Sequence, residues 1–484
     1  MLVNSARDTR ISWILIILII LVSFFNFSEA FYPWLNADAG VNILMTRTFS
    51  LPHDLYFWGQ DRGGSLVPMI GHIFYARLGI GLIMSVSLSH FLILASGFFA
   101  LCGMIENNKV RILVALLWFL PPWHQQFFLV YNFLALQISL TALVVYFLAQ
   151  SLNSATFLKG LPQLVIAGLI LILGCWVSDL FFLTYCILFF FTLAGWKNKQ
   201  KKINIFIFVL FGFTTFFLIR WAKTYATPIP GYLQKLIASP EIIRSNVLIF
   251  IKSLTDIFSF RSETFTESIH AWVLVFGGTV FVIAVRKSLS FFQKNNKKTW
   301  VVFYLVNGVA ILTFLLSSNW LHANGVGRWY FVPVYYSLMA AFFLITNALS
   351  HHLKRRSWVM LFLIALTASF SGLYPLYFPQ KRPAKLGKLS DFKKLGEAGI
   401  IADYWNAYVI ACVNPAQLVA TPHDRAQVRN TDFPEQVLHK PAIYLIKDQW
   451  MEQFPDSLQQ FGRKLYKEGN EFVLGDCSLC RYRL

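Results

Sequence analysis

Four polar stretches interrupt an otherwise apolar chain, and their residue types point to one kind of chemistry. The first is Trp34-Leu35-Asn36-Ala37-Asp38-Ala39-Gly40-Val41-Asn42. Asp38 stands just before an amphipathic run, 41–49, where an Asp serves as a helix N-cap. A capped carboxylate is also a fixed one. Partly desolvated by Tyr32, Trp34 and lipid, it can take a proton from an acceptor hydroxyl. The second stretch, 56–68, sets Trp58, Gln60, Asp61 and Arg62 beside Gly63 and Gly64. It reads either as an interfacial aromatic belt ending in a turn or as side-chain and backbone contacts to sugar hydroxyls or phosphate. The third is Asp179, an acid in a turn with almost no polar neighbours. At membrane depth such an acid points to function, whereas at the outer interface it is merely solvated. The fourth, 319–333, holds His322, Arg328 and Tyr330. Arg328 opens an apolar helix and suits a phosphate grip, with interfacial snorkelling as the plainer reading.

What must position these groups is a membrane protein. Of 484 residues, 56% are hydrophobic and 13% charged, with 48 Phe. A soluble domain has about 45–50% apolar and about 25% charged residues. The mean hydropathy of +0.56 excludes a cytosolic enzyme and a disordered chain. Apolar runs at 11–27, 80–105, 112–120, 131–150, 161–176, 182–196, 203–220, 271–285, 300–317, 330–349 and 357–378 predict about 11 transmembrane helices. The first is read as a retained helix, because Phe24, Phe25 and Phe27 leave no small-residue cleavage site. The stretch 66–80, with His72 and Arg77, reads as a helix lying in the interface.

The net charge of +19 would suggest nucleic acid in a soluble protein. Here it sets orientation, and no nucleic-acid partner is expected. With the N-terminus inside, the cytoplasmic pieces carry 17 Lys and Arg against eight in the short outside loops. The basic turns at 197–202 and 354–356 are anchors of that topology. The frame is therefore N-terminus in and C-terminus out. A transmembrane domain, 1–378, bears outside loops 28–68 and 221–270, and a small extracytoplasmic C-terminal domain follows at 379–484. In that tail, short apolar segments between turns predict a mostly β or α/β fold, as acceptor contact or as a lid. Cys102, Cys175 and Cys186 fall in apolar spans. Cys477 and Cys480 lack the second pair that a zinc site needs. Outside the cell one disulfide is expected: Cys477–Cys480, with Cys412 to either as the rival. No nucleotide-binding, zinc-protease or kinase motif appears.

Taken in order and sidedness, the stretches resemble the GT-C superfamily of polytopic glycosyltransferases. They come nearest to bacterial relatives of the protein O-mannosyltransferases and the lipid A aminoarabinose transferase. The carriers are Asp38 in Asn36–Gly40, Trp58-Gly59-Gln60 within 56–68, 174–179 ending at Asp179, and Gly327-Arg328-Trp329-Tyr330 with Pro333. The tail segment Ile401-Ala402-Asp403-Tyr404-Trp405-Asn406-Ala407-Tyr408 also looks like tails of such proteins. The resemblance implies a GT-C-like α-helical fold in a bacterial inner membrane and a hexosyl- or pentosyltransferase. It implies a polyprenyl-phosphate-linked sugar as donor, a lipid, glycan or protein as acceptor, and inversion at the anomeric carbon. Asp38 would be the base. Arg328, with Tyr330 and Arg62, would hold the donor phosphate, and Trp58, Gln60, Asp61, Asp179 and His322 would line the substrate. Some members pair two acids in the first loop. Asp38 has no adjacent acid, so Asp54, Asp61 or Asp179 would have to complete a pair after folding. No metal ligand is assigned, and a divalent cation is left open.

Two other classes compete. A transporter or flippase of a lipid-linked saccharide would need inverted repeats and polar groups near the midplane. No repeat is visible, and the polar residues gather at one face. An O-antigen-type ligase or polymerase would need a large outside loop between late helices.

Overall fold

The computed structural model describes residues 2–130, 133–195, 198–229, 237–286 and 298–484. Lys197 of one basic turn, and residues 287–297 of a piece expected to be cytoplasmic, lie outside the described residues. The protein is mostly helical and ends in a mixed sheet, as the sequence predicts. Among the described residues nine helices are long and apolar enough to cross a bilayer. They are Asp8–Phe27, Leu82–Gly103, Phe133–Asn153, Phe157–Val177, Ile205–Lys223, Phe265–Ala284, Lys298–Leu316, Arg328–Ala348 and Arg355–Tyr377. The other two apolar runs are helical but short. Phe181–Gly195 has 15 residues. Asn108–Phe119 stops at Pro121 and Pro122, which lack the N–H groups that would extend the ladder, and the chain resumes at Trp123–Val130 bent by 82°. The stretch read as interfacial forms the helix Leu66–Leu78, ended by Gly79 in the left-handed region (φ 67).

The middle loop, 221–270, contains a 19-residue helix, Pro240–Phe258, and the next span already begins at Phe265. The local signals were present. Ser239 caps the helix through Ile242 N–H, Pro240 occupies its first turn, and Ile243, Val247 and Leu254 recur on one face.

Contacts divide the chain into two compact units. One comprises Met1–Phe24, Phe91–Arg220 and Leu233–Lys381. Within it Phe133–Asn153 packs on Phe157–Val177, Lys298–Leu316 on Val332–Ala348, and Phe265–Val285 on Arg355–Tyr377. Buried polar side chains link its helices. Thr184 donates to Asn307 Oδ1 at 2.9 Å, and Asn307 Nδ2 donates to Ser337 at 3.2 Å.

The other unit comprises Phe25–His90, Trp221–Tyr232 and Arg382–Leu484. It holds a seven-stranded sheet ordered β2-β1-β3-β7-β5-β4, with β6 paired to β7. The strands are β1 (Ala398–Ala402), β2 (Leu418–Pro422), β3 (Ile443–Lys447), β4 (Ser457–Gln460), β5 (Arg463–Lys467), β6 (Phe472–Leu474) and β7 (Cys477–Arg483). β1 is parallel to β2 and β3, and the remaining pairs are antiparallel. β1 is buried along its whole length, as a central parallel strand is. Its Ile401 packs with Val437, Leu445, Leu465 and Tyr482.

The sheet overturns the expected disulfide. Cys477 and Cys480 are three residues apart on β7, where odd spacings face opposite sides of a strand. Cys477 is in register with Leu474 and Cys480 with Leu445, and both thiols are free. Cys480 Sγ donates to Gly469 O at 3.2 Å, and burial pushes the Cys477 thiol up to about 11. Cys412, the rival partner, is also free and lies buried, with Sγ 3.3 Å from Gly40 O.

Candidate active site

Asp38 lies in the first turn of the Ala37–Thr48 helix. It is not the cap: Asn36 is, accepting from Ala39 N–H at 2.9 Å. That frees the Asp38 carboxylate to look away from the helix end, while the helix N-terminus still favours its negative charge. The side chain is 31% exposed.

Its partners come from the C-terminal segment of the same unit. Tyr404 Oη donates to Asp38 Oδ1 at 2.5 Å, and Arg429 Nε donates to Tyr404 Oη at 3.0 Å. Arg429 Nη2 stands 3.8 Å from the same Oδ1. The Arg429 side chain is 5% exposed, with its guanidinium over the rings of Tyr404 (5.4 Å) and Phe57 (5.8 Å). Its backbone N–H donates to Tyr408 Oη at 2.6 Å. Burial pushes the Tyr404 phenol well above its usual range; the Asp38 charge adds to this and Arg429 opposes it. Burial likewise lifts Tyr408 to about 12. Both phenols therefore keep their protons at neutral pH.

The Ala37–Thr48 and Tyr404–Ala411 helices lie side by side, and Gly40 makes this approach possible. A Cβ there would stand 2.9 Å from the Tyr408 carbonyl carbon. Toward the other end of the pair, the Arg47 guanidinium donates to Pro415 O.

The second polar stretch is a tight turn closed by an antiparallel bridge between Tyr56 and Gly64, with Gly59 at φ 72. Trp58 Nε1 donates to Asp54 Oδ1 at 2.8 Å, and Ser50 N–H donates to Asp54 Oδ2 at 2.8 Å. Asp54 is thus engaged within its own loop. Trp58 also meets Phe433 edge-on at 5.4 Å. Gln60 is buried, and Asp61 and Arg62 are half-buried. Phe57 of this stretch reaches the Asp38 group, through Arg429.

In the other unit, Arg328 starts a short 3-10 turn that leads into Val332–Ala348. Its Nη1 donates to Glu267 Oε2 at 2.9 Å and its Nη2 to Ser262 Oγ at 3.3 Å. Ser262 also donates to Glu267, and His124 Nε2 lies 3.5 Å from Glu267 Oε2. Glu267 sits in the first turn of Phe265–Val285, where the helix end favours an anion. The proline break at 121–122 sets His124 here. Tyr330 packs edge-on against Trp320 at 4.6 Å. His322 bonds Asn246 through Nδ1 at 3.0 Å, and Asn246 Nδ2 donates to Leu316 O at 3.0 Å. His322 therefore belongs to a bracing network. Asp179 is exposed in the turn after Phe157–Val177; the buried polar group of that turn is Ser178, which donates to Gln137 Oε1 at 3.1 Å.

Three functional candidates were not legible as such. Tyr404 lay in a tail segment noted for its likeness but given no role. Glu267 is an acid beside an apolar run, which is a signal in itself. Arg429, in a polar loop, carries no local signal. Among the described residues no three His, Cys, Asp or Glu side chains gather as a metal site would require. The company of Asp38 does not fit a divalent cation either: a guanidinium stands where a second carboxylate would be needed.

Among solved structures, the chain is similar to ArnT from Cupriavidus metallidurans bound to undecaprenyl phosphate. The identity is 12%, 97% of each chain is covered, and the TM-score is 0.48. It is also similar to the archaeal oligosaccharyltransferase AglB from Archaeoglobus fulgidus, in complex with an inhibitory peptide and a dolichol-phosphate. There the identity is 11%, covering 90% of this chain and 69% of that one, with a TM-score of 0.43. No family model matches the sequence, and no curated protein matches it.

Proposed function

We propose that the protein is a membrane glycosyltransferase that moves a hexosyl or pentosyl group from a polyprenyl-phosphate donor to an acceptor on the outer face of a bacterial inner membrane. The N-terminus is cytoplasmic and the 379–484 domain extracytoplasmic. The observation that carries the reading is the state of Asp38. Each contact described for this carboxylate is made through Oδ1, and the group is neither deeply buried nor fully solvated. Oδ2 is the base. As the acceptor oxygen attacks the anomeric carbon, Oδ2 takes its proton, the bond from that carbon to the phosphate oxygen breaks, and the configuration inverts. Negative charge grows on the departing polyprenyl phosphate. Arg328 is the proposed ligand for that phosphate: a guanidinium carries five N–H groups, of which Glu267 and Ser262 take one each. Tyr330, Arg62, Trp58, Gln60, Asp61, Asp179 and His322 remain candidate substrate contacts, with Trp58 and His322 the most constrained by the bonds described above.

The test uses the full-length protein in membranes with a panel of synthetic undecaprenyl-phosphate-linked hexoses and pentoses, following release of undecaprenyl phosphate. Asp38→Asn lowers release by about 10³-fold or more while melting temperature holds, the scale of losing a general base together with its orientation. Arg328→Ala raises the donor KM. Full turnover by Asp38→Asn removes the assignment.

A further inference from the structure

The sheet-bearing tail supplies more than a cover. Tyr404 follows β1 directly, because β1 ends at Ala402 and Asp403 caps the next helix, accepting from Asn406 N–H at 2.7 Å. β3 ends at Lys447, and Asp448 beyond it accepts from Asp403 N–H at 3.4 Å and from Asn406 Nδ2 at 3.0 Å. The start of this helix is therefore tied to the carboxyl ends of two adjacent parallel strands. Tyr404, its first residue, inherits that rigidity. Arg429 is fixed just as firmly, by its own backbone bond to Tyr408 and by the rings of Phe57 and Tyr404.

The direction of the bonds is settled by chemistry. An ionised carboxylate only accepts, so the phenol donates to Asp38, and its oxygen accepts from Arg429. The result is a charge-assisted chain, guanidinium to phenol to carboxylate, in which each bond polarises the next. The whole chain ends on Oδ1.

We infer that Tyr404 and Arg429 are positioning residues for Asp38: they lock one carboxylate oxygen so that the other is presented to the acceptor hydroxyl at a fixed angle. This rests on the reading of Asp38 as base. A catalytic carboxylate works only when held close to the productive geometry, and this pair does the holding from the far end of the sequence.

Two measurements on the full chain test it. The first is a double-mutant cycle in melting temperature with Asp38→Asn and Tyr404→Phe, which needs no substrate. The phenylalanine keeps the ring against Trp405 and Tyr408 and removes only the hydroxyl. The two changes are expected to be non-additive; additivity would mean the contact does not operate and overturns the inference. The second is kinetic, on whichever undecaprenyl-phosphate-linked sugar of the panel the wild type turns over. Tyr404→Phe should lower kcat about 10- to 100-fold, with donor KM changed less than about twofold, as misplacement of a reacting group does. Arg429→Lys should recover part of what Arg429→Gln loses. Full kcat in Tyr404→Phe, beside an active wild type, overturns the positioning role and leaves the transferase reading standing. A wild type inert on the entire panel sinks the transferase reading instead, and any coupling in melting temperature would then be a structural tie, which also overturns the positioning role.

Discussion

The Asp38 and Arg328 groups each set an acid against an arginine, and they do so in opposite ways. Arg328 meets Glu267 directly at 2.9 Å, and Ser262 and His124 crowd the same carboxylate oxygen. Arg429 stays 3.8 Å from Asp38 with a phenol bonded between them. In the first arrangement the carboxylate serves the arginine: it compensates a cation in apolar surroundings and aims it. In the second the arginine serves the carboxylate, whose described contacts are all made through Oδ1. An acid–arginine pair is therefore not one motif. Whether a third group is interposed decides which partner stays available.

Glu267→Ala tests the first half of this contrast and should have the largest effect on stability. Both side chains are mostly buried, 16% and 9% exposed, so removing the acid strands a guanidinium. The expected cost is about 3–5 kcal/mol, read as a large fall in melting temperature. A change within a degree would mean that Arg328 is already solvated and that the contrast fails. Gly40→Val tests the second half. Its side chain would run into the Tyr408 backbone, so the two helices must part, at about 1–3 kcal/mol. Activity should fall more than stability does, because Tyr404 moves with its helix; a variant with unchanged stability would show that the close approach is not needed.

The smallest effect concerns pH. Burial raises the Asp448 carboxyl above its usual value, and the neighbouring Asp403 adds to this. A carboxyl raised in the folded state binds its proton more readily there than in the unfolded chain. Its stabilising contribution is thus complete below its ordinary value of 3.8 and is lost as pH climbs through the folded value. The melting-temperature difference between wild type and Asp448→Asn should accordingly shift against the wild type as pH is raised from about 3 to about 7. A difference that does not vary with pH would refute this.

The membrane helices were readable because a long apolar run is a local signal. Among the described residues each of the eleven runs forms a helix, and only the proline pair at 121–122 needed the structure to show which way the chain turns. Helix Pro240–Phe258 was missed because an outside position was taken to mean loop, although its cap and periodicity were in plain view. Asp38 was singled out by its type and surroundings. Tyr404 and Arg429 were not, because nothing short of folding brings residues that far along the chain to it. The Cys477–Cys480 error has the opposite origin. Nearness in sequence was taken for nearness in space, and a strand separates what a turn would join.

The carboxylate lies near the beginning of the polypeptide, whereas the phenol and guanidinium that hold it come near the end. At ordinary translation speeds of about 5–20 residues per second, Asp38 leaves the ribosome roughly 20–80 s before Arg429 does. During that interval the carboxylate proposed as base stands without the pair that holds it. The Asp38–Tyr404–Arg429 group is therefore completed only near the end of synthesis, and a chain terminated before residue 404 would carry the carboxylate without it.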